Sequence, residues 1–177
     1  MSLLCAGAVA PVQAEFGVSE VQARLVDGAL ELSGALELAL TPKVEEALAK
    51  GIPLDFVIGV RLDRVRPWWW DERTGEWTLK RRIRFHALSG QYLVNTLDAT
   101  PETSESYTSL TEALRQLGTL AALRLRLADA PRAQEHYAVQ LRVHLDLEAL
   151  PTPLQPVAYT SLAWHLNSGW SKWEVAH

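Results

Sequence analysis

The chain has 177 residues, of which 48% are hydrophobic and 21% are charged, and its 17 Lys and Arg against 21 Asp and Glu give a formal net charge of −4. This apolar fraction is too high, and this net charge too small, for a disordered chain. The mildly acidic balance gives no reason to expect a nucleic acid partner. The single cysteine, Cys5, excludes an intramolecular disulfide and a thiolate metal cluster.

Residues 1–14 have the character of a secretory leader. They carry no charged side chain, contain the apolar run 3–10, and end on Val12-Gln13-Ala14, with small residues where signal peptidase cleaves. The basic segment that opens a signal peptide is missing, which indicates a truncated leader and a start codon placed too late. We therefore expect a signal peptide over 1–14 and one domain over 15–177. The alternative is a loose apolar tail on a cytosolic protein.

From Phe16 onward the dominant period of hydrophobicity is two residues, which is typical of strands. Residues 27–28, Asp-Gly, are a strong signal for a two-residue turn, and a hairpin centred on them places Leu25 opposite Leu30. The apolar residues of both strands then lie on the same face of the hairpin. The sequence predicts a half-buried antiparallel sheet here.

Two short helices interrupt the strands. Thr41 as N-cap and Pro42 in the first turn predict a helix that ends at Lys50. Ser109 and Glu112 form the pattern of a capping box, which predicts a second helix that ends at Gly118. We expect both helices to pack an apolar stripe against the sheets.

A hairpin of two long strands is predicted on either side of residues 71–76. Pairing Trp70 with Trp77 places Leu62 opposite Phe85, so that apolar residues match on one face. The rest of the chain is expected to hold a turn at 89–90 with a third strand, a polar loop at 98–108, strands at 123–127 and 137–145, and a last strand within 157–173. Seven or eight short antiparallel strands with two helices predict a mainly β protein, an antiparallel β-sandwich. A curled sheet packed on the second helix is the alternative.

Catalytic motifs are scarce. No nucleophile elbow or phosphate-binding loop is present, and the five histidines lack the close spacing of metal ligands. His144 and Asp146 share a strand face, and we interpret them as solvated surface residues rather than a catalytic pair. The sequence therefore predicts a protein that is not an enzyme and uses no cofactor or metal. A hydrolase with scattered catalytic residues is a less favoured alternative.

The most unusual feature is a concentration of aromatic and basic residues between positions 61 and 84. The candidate binding residues are Trp68, Trp69, Trp70, Trp77, Arg61, Lys80, Arg82 and Arg84. In the register above, the basic residues form a strip on the polar face, with Asp63 opposite Arg84. Indoles beside guanidinium groups suit a partner protein, an anionic lipid headgroup or a sugar.

The favoured interpretation of these tryptophans taken alone is packing, with Trp68 and Trp70 entering the core and Trp69 partly exposed, and contact with a partner or membrane is the alternative. A second aromatic group lies near the end of the chain and comprises Trp164, Trp170 and Trp173. We interpret it as a plug that closes one end of the sandwich.

Four segments in this order carry a resemblance to a known family: 51–54 after a short helix, the tryptophan run 68–70, the segment 87–92, and the ending 150–173. With them the chain resembles the proteobacterial domain of unknown function 4390. The resemblance implies an exported protein of Gram-negative bacteria with no assigned activity, whose gene often sits beside a membrane sensor kinase similar to those of nitrogen regulation. It implies no catalytic residues.

These observations together predict a non-enzymatic periplasmic binding module. It would be an accessory to an envelope partner, either a membrane sensor kinase or an envelope assembly, and the hairpin from Trp68 to Trp77 would make the contact. Peripheral contact with a membrane is a further option for the same hairpin. The alternative function is a sandwich that holds a lipid or glycan between its sheets.

Overall fold

The computed structural model describes residues 16–98, 103–132 and 134–176. The elements in chain order are β1 (Phe16–Val26), β2 (Ala29–Leu38), α1 (Pro42–Ala49), β3 (Leu54–Val65), β4 (Glu72–His86), β5 (Gln91–Thr96), β6 (Thr103–Tyr107), α2 (Leu110–Gly118), β7 (Thr119–Arg126), β8 (His136–Leu145), α3 (Gln155–Thr160), a 3₁₀ turn (Leu162–Trp164) and β9 (Ser171–Glu174). The leader predicted over residues 1–14 lies outside the described residues.

The strands form two antiparallel sheets. The smaller has the order β1-β2-β7, and the larger has the order β6-β5-β4-β3-β8-β9. The two sheets share one core, in which the rings of Phe16 on β1 and Phe56 on β3 lie 5.7 Å apart. The predicted class, a mainly β fold of antiparallel sheets, is confirmed. The face of the larger sheet that points away from the smaller one is called the outer face below.

The first hairpin is built as its sequence indicates. Leu25 pairs with Leu30 across the turn at Asp27 and Gly28, and both of these turn residues have positive φ, 48° and 71°. A type I′ turn requires this backbone conformation at both central positions, which favours Asp-Gly. The alternation of the two strands then places Leu30 in the core with no exposure.

Helix α1 also follows its local signals. The Thr41 hydroxyl accepts a hydrogen bond from the Val44 amide at 3.3 Å, and it donates one to the carbonyl of Ala163 at 2.8 Å. The same side chain therefore caps the helix and attaches the C-terminal segment to it. Leu48, on the inner side of the helix, is fully buried.

Helix α2 begins at the predicted place, although the predicted capping box does not form. The Ser109 side chain makes no capping hydrogen bond. Glu112 instead pairs with Arg115 at 2.5 Å, one turn further on. The helix is positioned by its apolar stripe, in which Ala113 and Leu117 have no exposure, because burial outweighs one hydrogen bond at a solvated terminus.

Two stretches differ from the sequence predictions. The expected polar loop at 98–108 contains β6, which pairs with β5 so that Tyr92 lies opposite Tyr107. Its exposed residues Thr103–Ser106 lack alternation, so an edge strand gives no period-two signal there. The expected last strand within 157–173 is present as β9 at the end of that segment, and a short helix and a 3₁₀ turn occupy the part before it. No helix among the described residues is both long enough and apolar enough to span a membrane.

Candidate functional site

The hairpin of β3 and β4 ends in a loop, residues 66–71, that we call the Trp tip. It presents three consecutive indoles to solvent, with Trp68 90%, Trp69 77% and Trp70 91% exposed. The expectation that Trp68 and Trp70 enter the core is wrong. No other tryptophan among the described residues is exposed to this extent.

The exposure follows from the register of the hairpin, which differs from the predicted one. Val60, rather than Trp70, lies opposite Trp77, and Asp63 lies opposite Arg73, not Arg84. From Leu54 to Leu62 the shift is ten residues, an even number, so the inner and outer faces of this part are those predicted; a β-bulge between Leu62 and Asp63 adds one residue beyond it. The alternation of apolar and polar residues determines only which residues share a face. Registers that differ by an even number of residues keep the same faces, and the pairing of side chains distinguishes them.

The observed register brings Asp55 beside Arg82. Asp55 is only 5% exposed although it lies on the outer face. Its two carboxylate oxygens accept hydrogen bonds from Arg82 at 2.5 and 2.7 Å. A buried carboxylate needs such a partner, and cross-strand pairing at this position supplies it. In this register the two strands end before the three tryptophans, which therefore lie in the loop that connects them.

Trp77 behaves differently from the three residues of the tip. It lies on β4 with its indole partly buried against the core, and its ring covers Gly75, two residues earlier on the same face. A side chain at position 75 would collide with that ring. Trp77 is therefore a packing residue at the base of the tip.

The four basic candidates all lie on the outer face, and three of them are paired with carboxylates. Arg61 bonds Glu76 at 2.8 Å, Lys80 lies 3.4 Å from Asp146, and Arg82 bonds Asp55. Arg84 is exposed and forms no ion pair with any carboxylate in the part of the chain that the structure describes. The predicted basic strip is therefore present on the outer face, and carboxylates neutralise three of its four positive charges.

The structure does not bring the whole strip to the Trp tip. Arg84 is twelve residues from Glu72, the first residue of β4, which is about 40 Å of extended strand. Lys80 lies about 26 Å from the same point. Of the four candidates, only Arg61 lies within the half of the hairpin that adjoins the tip.

Other charged residues that are not among the eight candidate binding residues surround the base of the tip. Arg64 bonds both Glu72 and Glu135, the latter at 2.8 Å, and Arg66 also pairs with Glu72. Hydrogen bonding from Arg64 lowers the pKa of Glu135 below its ordinary value. Glu135 precedes β8, more than sixty positions away in the chain, and no local pattern predicts that contact.

A second ion pair lies on the opposite side of the tip. Lys172 of β9 donates to Asp71 at 2.7 Å, and this hydrogen bond lowers the pKa of Asp71. Together with the Arg64 network it gives the tip a rim of both charge signs. The rim holds the loop at both ends while its three indoles stay free of contacts with the core.

The outer face carries one further aromatic group. Trp170 lies against Gly59, where a Cβ atom would be 2.9 Å from the ring. Its ring is flanked by the guanidinium groups of Arg61 at 3.9 Å and Arg142 at 5.0 Å. Both distances lie within the range of cation–π attraction. Trp170 is therefore part of the outer face, whereas the other two members of the predicted plug, Trp164 and Trp173, pack with the core.

The groups that could do chemistry are sparse. No cluster of three or more His, Cys, Asp or Glu side chains that could hold a metal ion occurs among the described residues. Burial and the neighbouring Arg142 lower the pKa of His144, so the imidazole is neutral at pH 7. The Trp tip offers exposed aromatic surface inside a rim of paired charges.

Comparison with known proteins gives one match. A family model described as a domain of unknown function, DUF4390, matches residues 13–174. No curated protein and no solved structure matches the chain.

Proposed function

The chain belongs to the DUF4390 family, and from that premise we propose that it is a non-enzymatic, periplasmic binding module whose Trp tip contacts an envelope protein. A membrane sensor kinase is the first partner to test, and an envelope assembly is the second. Export through the leader-like residues 1–14 is part of the same proposal.

The observation that carries the proposal is the exposure of three successive indoles. A tryptophan that becomes buried removes about 150–250 Å² from solvent, which makes it the most frequent energetic centre of protein interfaces. The domain gains almost nothing from Trp68 and Trp70, because each keeps about nine-tenths of its surface in water. Their contribution is available to a partner.

The charges around the tip favour a protein over an anionic membrane or a nucleic acid. Those partners select surfaces with an excess of positive charge. At the tip, Arg66 is paired with Glu72 and Lys172 with Asp71. An aromatic centre with a balanced polar rim is the usual anatomy of a protein interface.

The experiment places a photo-crosslinking amino acid at Trp69 of the full-length protein in living cells. The matched control places it at Leu88, which is 96% exposed at the β4–β5 turn, away from the tip. We expect a defined adduct with one envelope protein from position 69 and none from position 88. A second variant, Trp70→Ser, should weaken that adduct by roughly thirtyfold, which corresponds to an interface residue of about 2 kcal/mol.

Three outcomes contradict the proposal. Adducts of equal yield and identity from both positions would mean collisional crosslinking only. Adducts with phospholipid instead of protein would assign the tip to the membrane surface. An adduct that is insensitive to Trp70→Ser would remove the indoles from the contact. Thermal unfolding of each variant checks the fold, which should be unchanged because the tip contributes little burial.

A further inference from the structure

A cleft on the outer face is independent of the Trp tip. It has a volume of about 550 Å³, within the usual range of small-molecule sites. Its floor is a row of three cross-strand neighbours, Lys80, Val57 and His144. Its walls are residues of the segments 145–148 and 159–167, which begin in the ends of β8 and α3 and continue past them.

The cleft is not the space between the two sheets. The alternative function predicted from the sequence places a lipid or glycan in that space. That space is filled by side chains without exposure, such as Phe56, Leu30 and Leu62. A ligand there would have to displace the core. A ligand in the cleft displaces only solvent, so the outer face is the better location for a small-molecule site.

Two buried polar atoms beside the cleft lack partners. Nδ1 of His144 and Nε1 of Trp164 are inaccessible to solvent and have no hydrogen-bond partner within the described part of the chain. Trp164 as a whole is only 3% exposed. Folded proteins rarely retain a buried donor without an acceptor. Because both atoms are inaccessible, a ligand in the cleft contacts the exposed side chains beside them rather than these two atoms.

The charges of the cleft do not favour an anion. Lys80 is offset by Asp146, whose carboxylate lies 3.4 Å from the ammonium group, and Glu148 adds a further negative charge. The His144 imidazole is neutral at pH 7 because burial and Arg142 lower its pKa. The absence of a three-ligand cluster in the described residues gives no support for a metal ion.

The side chains that line the cleft supply hydrogen-bond donors, hydrogen-bond acceptors and an aromatic surface. Lys80 and the amide of Asn167 donate hydrogen bonds, and the carboxylates of Asp146 and Glu148 accept them. A hydroxyl group does both, so a polyhydroxylated molecule can satisfy both kinds of group at once. Tyr159, which is 50% exposed, supplies a ring face for the C–H side of such a molecule.

We propose that this cleft binds a neutral saccharide unit, with hydroxyl groups held between Lys80 and Asp146 and the sugar ring packed on Tyr159. The site is separate from the proposed protein contact. Substitutions at the Trp tip therefore leave saccharide binding unchanged, and substitutions in the cleft leave crosslinking from position 69 unchanged.

The test uses the indole N–H resonances of the seven tryptophans in a two-dimensional NMR spectrum. Trp164→Phe identifies the resonance of Trp164 by its disappearance. The probes are four neutral disaccharides, namely maltose, cellobiose, trehalose and N,N′-diacetylchitobiose, with glucuronate as the anionic comparison. We expect at least one disaccharide at millimolar concentration to shift the Trp164 resonance in a saturable manner, and glucuronate to have no effect.

Tyr159→Ala should weaken that binding by roughly tenfold. Its matched control is Val157→Ala on the same helix, because Val157 is 47% exposed and does not line the cleft. Asp146→Asn is the second variant and should weaken binding while keeping the shape of the side chain. The proposal is overturned if none of the four disaccharides shifts the resonance, if glucuronate binds more tightly, or if Tyr159→Ala and Val157→Ala have equal effects.

Discussion

Arg82 provides the sharpest test of how the hairpin register is maintained. Its guanidinium donates two hydrogen bonds, at 2.5 and 2.7 Å, to the carboxylate of Asp55, whose side chain is only 6% exposed. Arg84 lies two residues further along the same face of β4 and has no ion pair with the described carboxylates. Arg82→Ala and Arg84→Ala are therefore the same chemical change in two environments.

The expected magnitude follows from the burial of the pair. Removing one partner of a fully buried ion pair costs about 3–5 kcal/mol, and an exposed pair contributes about 0–1 kcal/mol. The Asp55 carboxylate is nearly buried while the Arg82 side chain is 42% exposed, so we expect a loss of about 2–3 kcal/mol. For a domain of this size that corresponds to a fall in Tm of about 5–10 °C. Arg84→Ala should change stability by less than about 0.5 kcal/mol.

Thermal unfolding followed by circular dichroism measures both variants, and urea unfolding gives the free energies. The double variant Asp55→Asn, Arg82→Ala closes a thermodynamic cycle, in which Asp55→Asn should cost less once Arg82 is absent. Equal melting temperatures for Arg82→Ala and Arg84→Ala would refute the reasoning. Additive effects of the two changes in the cycle would do the same, because they would show that the pair is not coupled.

Two further predictions concern packing and pH. Gly118→Ala should destabilise the domain by roughly 1–3 kcal/mol more than Gly17→Ala in urea unfolding, because its Cβ would collide with the Leu36 carbonyl whereas a Cβ at Gly17 would meet only the Glu37 side chain, at 3.2 Å; similar losses would contradict this. Arg64 lowers the pKa of Glu135, so the stability due to Glu135 is present above about pH 4.3 and is lost as pH falls through the lower folded pKa. The Tm advantage over Glu135→Gln should therefore shrink from neutral pH to about pH 3, and a constant advantage would show that the carboxylate is not linked to folding.

Much of the fold follows from local signals in the sequence. The turn at 27–28 determines its own hairpin, because the positive φ at both positions suits Asp-Gly and the turn then specifies which residues pair. Thr41 and Pro42 similarly determine where α1 begins. The period of hydrophobicity identifies the inner face of β3, since a strand half in water alternates regardless of its partners.

The candidate site could be predicted only in part. The sequence singled out Trp68–Trp70 as unusual, and it placed Arg82 on the outer face correctly, since both inferences need only composition and parity. It could not tell an exposed indole from a buried one, because three adjacent tryptophans satisfy either register. It also could not identify Glu135 or Lys172 as neighbours of the tip, since both reach it from distant strands.

Local sequence patterns therefore account for the class of fold, most of the strands, both main helices and the unusual character of residues 61–84. The tertiary structure decided the register of the β3–β4 hairpin, and with it the exposure of the Trp tip. The physical reason is that alternation repeats every two residues and leaves several registers equivalent. The observed register buries Asp55 beside Arg82, and that contact, like the ion pairs around the Trp tip, exists only once the strands have paired.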